Sequence, residues 1–372
     1  MGRSKSIYFS NLDGIRFSAA LMVIIHHIEL LKSAFNINNY WDNDVIRSLG
    51  KLGVILFFVL SGFLISYLLF KEQKETSTIS IKEFYIRRIL RIWPLYFLII
   101  FLALFVLPSI SILEYPQIED LTTHTKLFKA LPMYILFLPN LVLVVLGTIP
   151  FCSQTWSIGA EEQFYLIWPV LNKFIKNKLV IIFGVFFTYL IIKYFLGFDK
   201  ESILYRFWDT MPIHFMSVGA FFAYVAFFET KFTSFCRVIF YSRITQILAI
   251  SLIFFMLYFK IRVGYFNLEL YGVLFGLIIL NAATGIKNIF YFNFSAIKFL
   301  GKISYGLYMY HVISIVLLIH ILKVLNMADN NVLLYVGSVV FTIIFSTISF
   351  YTFEKFFLKH KSKFTVIESG EK

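Results

Sequence analysis

The chain has 372 residues, of which 59% are hydrophobic and only 15% charged, with a mean hydropathy of +0.79. A water-soluble domain of this size covers its surface with roughly a quarter charged residues, so the composition excludes an ordinary soluble protein and makes lipid the natural solvent. The net charge of +13 sits in short clusters between apolar runs, a pattern that fits retention on the cytoplasmic side of a membrane and argues against nucleic-acid binding.

Apolar runs fall in chain order near residues 13–32, 52–70, 93–108, 131–147, 162–172, 179–197, 211–228, 242–259, 265–284, 303–325 and 332–354. Most approach the length needed to cross ~30 Å of hydrocarbon at ~1.5 Å per residue. The first is longer than a signal-peptide core and precedes no convincing small-residue cleavage site, so it reads as retained. Segment 71–92 carries Lys71, Lys74, Lys82, Arg87, Arg88 and Arg91, and the C-terminal tail carries Lys355, Lys359, Lys361 and Lys363. Both therefore belong inside, and with two crossings before 71–92 the N-terminus is inside as well.

Termini on one side require an even number of crossings. The run 131–147 contains Pro132 and Pro139 and ends on Gly147 and Pro150, a poor recipe for an unbroken helix. The expected fold is all-α: a polytopic transmembrane bundle of about ten crossings, with 131–147 re-entrant or broken. Re-entrant backbone is tolerated only against protein or a wet cavity, which hints at an interior cavity. No repeat and no linker is visible, so residues 1–358 read as one domain and 359–372 as a short polar cytoplasmic tail. Cys152 and Cys236 lie far apart and form no disulfide framework or metal-type spacing; no metal site and no bound cofactor is expected.

Four stretches carry candidate chemistry. In "IRFSAALMVIIHH" (15–27), Arg16 and His27 are 11 residues apart, about 1100° of helical rotation. They share one stripe, about 16 Å apart along the axis, while His26 is turned by about 100°. A snorkelling arginine would account for Arg16, but an ionisable residue at the depth of His27 is a functional candidate. In "FYIRRILRIWP" (84–94), basic residues before a crossing satisfy topology. Beyond that, Arg88 and Arg91 sit one turn apart, and their guanidinium forks suit a phosphorylated ligand.

In "TWSIGAEEQFYLIWP" (155–169), first-turn acids favour a helix dipole. Glu161 also lies at about the depth of His27, where a carboxylate would fix the imidazole tautomer and raise its basicity. In "GKISYGLYMYH" (301–311), Tyr305, Tyr308 and His311 could face an interior cavity, although packing accounts for most such residues.

These stretches together resemble the acyltransferase-3 family of integral-membrane O-acyltransferases. "LDGIRFSAALMVIIHH" (12–27) is similar to its opening signature, an arginine followed after ten residues by histidine. "GVILFFVLSGFLIS" (53–66), "RRILRIWP" (87–94), "WSIGAEEQFY" (156–165), "FLGKISYGLYMYH" (299–311) and "FYTFEKFF" (350–357) look like its further signatures in order. The resemblance runs from about residue 11 to 357, nearly the whole chain.

It implies transfer of an acyl group, acetyl by family habit, from acyl-CoA as co-substrate to a hydroxyl of a carbohydrate or lipid-linked glycan. His27 would be the catalytic base, with Glu161 and Arg16 beside it, and Arg88, Arg91 and Arg16 would hold the donor. The expected location is a bacterial inner membrane. Some relatives carry an esterase-like extracytoplasmic region with no counterpart in these residues, so either direct transfer or hand-over to a separate extracytoplasmic partner is expected. Two rivals remain at this stage: a flippase or transporter of a lipid-linked sugar, which would show related halves, and a structural partner in polysaccharide assembly, which would tolerate loss of His27.

Overall fold

The computed structural model describes residues 8–110, 113, 115, 124–261, 263–285, 287–289, 291, 292 and 294–364. Within them the chain is helical throughout, with no strand. In order, the α-helices are α1 (Asn11–Ala34), α2 (Asp44–Thr76), α3 (Ile81–Phe101), α4 (His124–Ile135), α5 (Pro139–Val145), α6 (Trp156–Phe174), α7 (Lys178–Tyr194), α8 (Ile203–Asp209), α9 (His214–Phe227), α10 (Lys231–Phe240), α11 (Arg243–Tyr258), α12 (Asn267–Thr284), α13 (Ser295–Lys302), α14 (Ser304–Val324), α15 (Asn331–Ser349) and α16 (Lys355–Lys361).

Helix starts follow local chemistry. The side chains of Asn43, Asn177, Ser202 and Asn330 accept from backbone N–H groups in the first turns of α2, α7, α8 and α15. Thr230 and Thr233 close a reciprocal capping box on α10. Each cap satisfies donors that lipid could not.

Seven stretches among the described residues are long and apolar enough to cross a membrane: Asn11–Ala34, Asp44–Thr76, Ile81–Ser109, Ile203–Phe227, Gly264–Thr284, Ser304–Val324 and Asn331–Lys361. The pair α10–α11, bent by 63°, makes an eighth if it is one span. This corrects the expectation of about ten. The run 162–172 lies in α6, whose 19 residues include Glu161, Glu162 and Lys173; the run 179–197 became α7, with 17 residues. The run 131–147 is indeed broken, into α4 and α5, with Phe137 between them at a left-handed φ of 55°.

The segment 71–92, placed inside by its charges, is almost entirely helical. α2 continues to Thr76 and α3 begins at Ile81, leaving only a turn. Glu72 closes that turn, accepting from the Ser80 N–H at 2.7 Å and pairing with Arg87 at 3.1 Å. The basic cluster is therefore helical, as the one-turn spacing of Arg88 and Arg91 implied. Of the expected polar tail, residues 359–361 finish α16 and 365–372 lie outside the described residues.

Close backbone approach organises the centre. A Cβ added to Gly62 would stand 1.9 Å from the Met216 carbonyl oxygen, and one added to Gly219 would stand 1.9 Å from that of Val59. α2 and α9 thus meet backbone to backbone, the small-residue packing that membrane helices use in place of a hydrophobic drive. α1 is surrounded by α2, α12, α13, α14 and α15. Its far end is tied down by a fully buried pair: Lys32 Nζ donates to Glu29 at 2.6 Å and to Asn331 at 2.7 Å, while the Tyr335 hydroxyl donates to Glu29 at 2.8 Å.

Two outcomes are expected. Gly62→Ala should lower the thermal midpoint in detergent, since overpacking a closed seam costs about 1–3 kcal/mol; an unchanged midpoint would mean that α2 and α9 can separate freely. Lys74→Cys and Lys359→Cys should both label only from the cytoplasmic side, which requires the even count of eight spans. Background labelling should be low at buried Cys152, whose thiol burial pushes up to about 12. Tail labelling from outside would leave an odd count.

Candidate active site

A cavity of about 320 Å³ opens among α1, α2, α3, α6, α13, α14 and α16. The first turns of α1 bring Asp13 and Arg16 to it. Arg16 ion-pairs with Asp13 one turn earlier, and the Tyr8 hydroxyl donates to the other Asp13 oxygen at 2.7 Å. Gly301, at the end of α13, makes this possible: a Cβ there would lie 2.4 Å from the Asp13 Cβ.

α3 supplies Arg88, Arg91 and Ile92 to the wall. The adjacent Arg87 turns away, to Glu72 and to the Phe364 carbonyl at 2.9 Å. The one-turn spacing of Arg88 and Arg91 therefore does put both on the cavity face. The Arg88 guanidinium lies 5.8 Å from the Phe84 ring and 5.9 Å from the Tyr165 ring, and its buried Nε has no hydrogen-bond partner among the described residues. Neither Arg88 nor Arg91 has a carboxylate at ion-pair distance among the described residues.

α6 contributes Ser157, Glu161 and Tyr165. Glu161 accepts from the Ser61 hydroxyl at 2.8 Å and from the Tyr165 hydroxyl at 3.1 Å. The expected carboxylate–imidazole contact with His27 is not present: Ser61, on the facing turn of α2, holds the carboxylate toward the cavity instead. Glu162 faces α3, where Trp93 Nε1 donates to it at 3.2 Å. From α14, Tyr305 and Tyr308 line the wall, and the Tyr305 hydroxyl donates to the Ile92 carbonyl at 2.9 Å.

The histidines lie behind this wall rather than on it. Tyr308 packs 5.8 Å from His311, ring to ring, and His311 is 4.6 Å from His27. His27 Nδ1 donates to the Val23 carbonyl at 2.9 Å and His311 Nδ1 donates to the Tyr308 carbonyl at 2.6 Å. Since a carbonyl can only accept, both neutral rings carry the lone pair on Nε2; that of His311 is buried without a partner. His27 is half-buried. His26 turns toward the α1–α2 connection, against Gly50, with its ring 5.1 Å from Trp41 and Nδ1 3.2 Å from the Ile46 carbonyl. The rotation expected from helical geometry is thus realised.

The wall between the cavity and the histidines is polar. The Tyr308 hydroxyl meets Ser157 Oγ at 2.7 Å and the Gln154 carbonyl at 2.8 Å. Of the expected site residues, Arg16, Arg88, Arg91, Glu161, Tyr305 and Tyr308 come together around the cavity, while His27 and His311 pair beyond it.

Asp13, Ser61 and the lysines Lys298, Lys302 and Lys361, all on the wall, escaped the sequence reading. Asp13 was detectable as an acid three residues before Arg16, and Ser61 as a hydroxyl in an otherwise apolar run. The lysines could not be told from topology charges.

A family described as an acyltransferase domain matches residues 9–351. The peptidoglycan O-acetyltransferase OatA of Listeria monocytogenes is 27% identical over 92% of this chain and 54% of its own length. YrhL of Bacillus subtilis, provisionally named a peptidoglycan O-acetyltransferase, is 32% identical over 44% of this chain and 23% of its own. A provisionally named O-acetyltransferase of Staphylococcus aureus strain COL is 29% identical over 45% of this chain and 25% of its own. The chain thus spans about half the length of the Listeria protein, and less of the others is matched. No solved structure matches.

Proposed function

The chain belongs to the acyltransferase-3 family, and from that premise we propose that it transfers an acyl group, acetyl in the first instance, from acyl-CoA to a hydroxyl of a glycan acceptor. The names of the relatives favour peptidoglycan or a related cell-wall polymer as that acceptor. One observation carries the donor half: Arg88 and Arg91 stand together on a cavity wall inside an apolar bundle, with no carboxylate at ion-pair distance among the described residues. Charge left unpaired in a desolvated setting is costly, and a phosphate diester or monoester is the anion that a guanidinium fork fits best.

In this reading the phosphates of acyl-CoA rest on Arg88 and Arg91, and the pantetheine arm points its thioester past Tyr308 toward the histidines. His27 Nε2 takes the proton of the acceptor hydroxyl as its oxygen attacks the thioester carbonyl. The carbon–sulfur bond breaks, the ester forms, and the imidazolium returns the proton to the leaving thiolate. The hydrogen bond to the Val23 carbonyl presets the tautomer this step needs. Glu161, held by Ser61 and Tyr165, acts on the cavity side, where it balances the arginines rather than orienting His27. The acceptor approaches from the half-exposed side of His27. The reaction takes place within a membrane, with both chain ends cytoplasmic and the acceptor outside.

His27→Ala should abolish acceptor acylation in membranes at matched expression, since loss of a general base costs ~10²–10⁴ in rate. His26→Ala should keep most activity, because its ring nitrogen is spent on the Ile46 carbonyl and its ring packs against Trp41, Gly50 and the edge of His27, away from the cavity. The reverse pattern would sink the assignment. Replacing Arg88 and Arg91 by lysine should raise the acyl-CoA KM about tenfold or more with protein level unchanged, because lysine keeps the charge and loses the fork. An unaltered KM would reduce the pair to a topology signal.

A further inference from the structure

Topology alone explains why lysines gather near one membrane face, but it does not require them to line a cavity. Lys298 and Lys302 project from the α13 turns beside Asp13, and Lys361 from the last turn of α16; all three line the same cavity as Arg16, Arg88 and Arg91. Six cationic side chains therefore face two carboxylic acids, Asp13 and Glu161, across its walls. Asp13 is already engaged by Arg16 and Tyr8. Outside the wall, Glu354 lies within electrostatic reach of Arg91 and is bonded by Ser349 at 3.2 Å. Lys361 in turn feels Arg16, Arg87, Arg88 and Arg91 as like-charge neighbours.

Such a surplus is unfavourable in the empty cavity and becomes favourable only with an anion of comparable charge. Arg88 and Arg91 can engage one diphosphate. The lysines are too many for that group and sit elsewhere, on α13 and α16, with Lys302 exposed at the rim.

We propose that Lys298, Lys302 and Lys361 form a second phosphate subsite at the cavity mouth, which takes the 3′-phosphate of the nucleotide end of the donor. This rests on the acyl-CoA reading above. The division of labour follows from chemistry. The diphosphate is a compact, planar-edged target suited to two guanidinium forks, whereas a terminal monoester with about two negative charges is met well by mobile ammonium groups around a solvent-facing rim. The donor, with close to four negative charges, is opposite in sign to the excess of cations on this wall.

The test compares CoA with dephospho-CoA, which lacks only the 3′-phosphate, by calorimetry on the full chain in phosphatidylcholine nanodiscs. Wild type should bind CoA about tenfold more tightly, the size of one charge-assisted contact set. The double variant Lys298→Gln, Lys302→Gln should bind both compounds alike, with about the affinity wild type has for dephospho-CoA. Lys361→Gln should narrow the gap in the same sense; the α13 variant stands by itself should the α16 change disturb folding.

Equal binding of the two compounds by wild type would overturn the subsite while leaving the acyl-CoA reading intact. So would a double variant that keeps the gap, or one that weakens both compounds equally. Loss that appears only with phosphatidylglycerol in the bilayer would reassign the lysines to lipid headgroups. Failure of wild type to bind either compound would remove the acyl-CoA reading and the subsite together.

Discussion

Uncompensated positive charge inside an apolar bundle is the constraint on which this structure turns. Several of the cations in the interior are neutralised where they stand: Lys32 by Glu29, Arg87 by Glu72, Arg16 by Asp13. Arg88 and Arg91 form no ion pair among the described residues and feel Glu161, Glu162 and Glu354 only at longer range. A buried charge that loses its partner costs several kcal/mol, so two such groups on one wall are affordable only if an anion regularly takes the partner's place. The paired cations hold helices together; the cluster on the cavity wall suits an anionic ligand.

The packing exists to keep that wall in register with the histidines. α1 carries both Arg16 and His27, so its rotation and axial position set the distance between the cationic cavity and the proposed proton acceptor. It is pinned at the cavity end by Asp13 nested on Gly301, and at the other by the buried Lys32–Glu29 pair with Asn331 and Tyr335. α14 is pinned by Tyr305 on the α3 backbone and by Tyr308 on Ser157 and Gln154. Hydrogen bonds from Nδ1 to backbone carbonyls fix both imidazole tautomers without any carboxylate. That arrangement suits a low-dielectric interior, where another buried charge would itself need compensation.

Much of the site was legible before the fold was known. The shared stripe of Arg16 and His27, the outward turn of His26, and the common face of Arg88 and Arg91 follow from 100° per residue and survive in the structure. Helical periodicity holds within one element whatever surrounds it. The prolines near 131–147 likewise announced a broken segment.

Expectations that depended on a second element fared less well. Glu161 was matched to His27 by depth alone; its partners turned out to be Ser61 and Tyr165, because rotation of α6 about its axis is set by packing on α2 and α3. Crossings were overcounted because the run 162–172 shares its helix with Glu161, Glu162 and Lys173, and the run 179–197 forms a helix of only 17 residues.

Composition and periodicity by themselves determined the solvent, the helical class, the order of the chemically charged stretches and the faces on which each helix carries them. Tertiary structure alone decided which cations have counter-charges, which line the cavity, and that the histidines sit behind Tyr308 rather than beside the arginines. The physical reason is that a charge is neutralised by whatever lies within a few ångströms in space. Here those neighbours come from positions as distant along the chain as Arg87 and Phe364, or Lys32 and Asn331, a relation that no local pattern encodes.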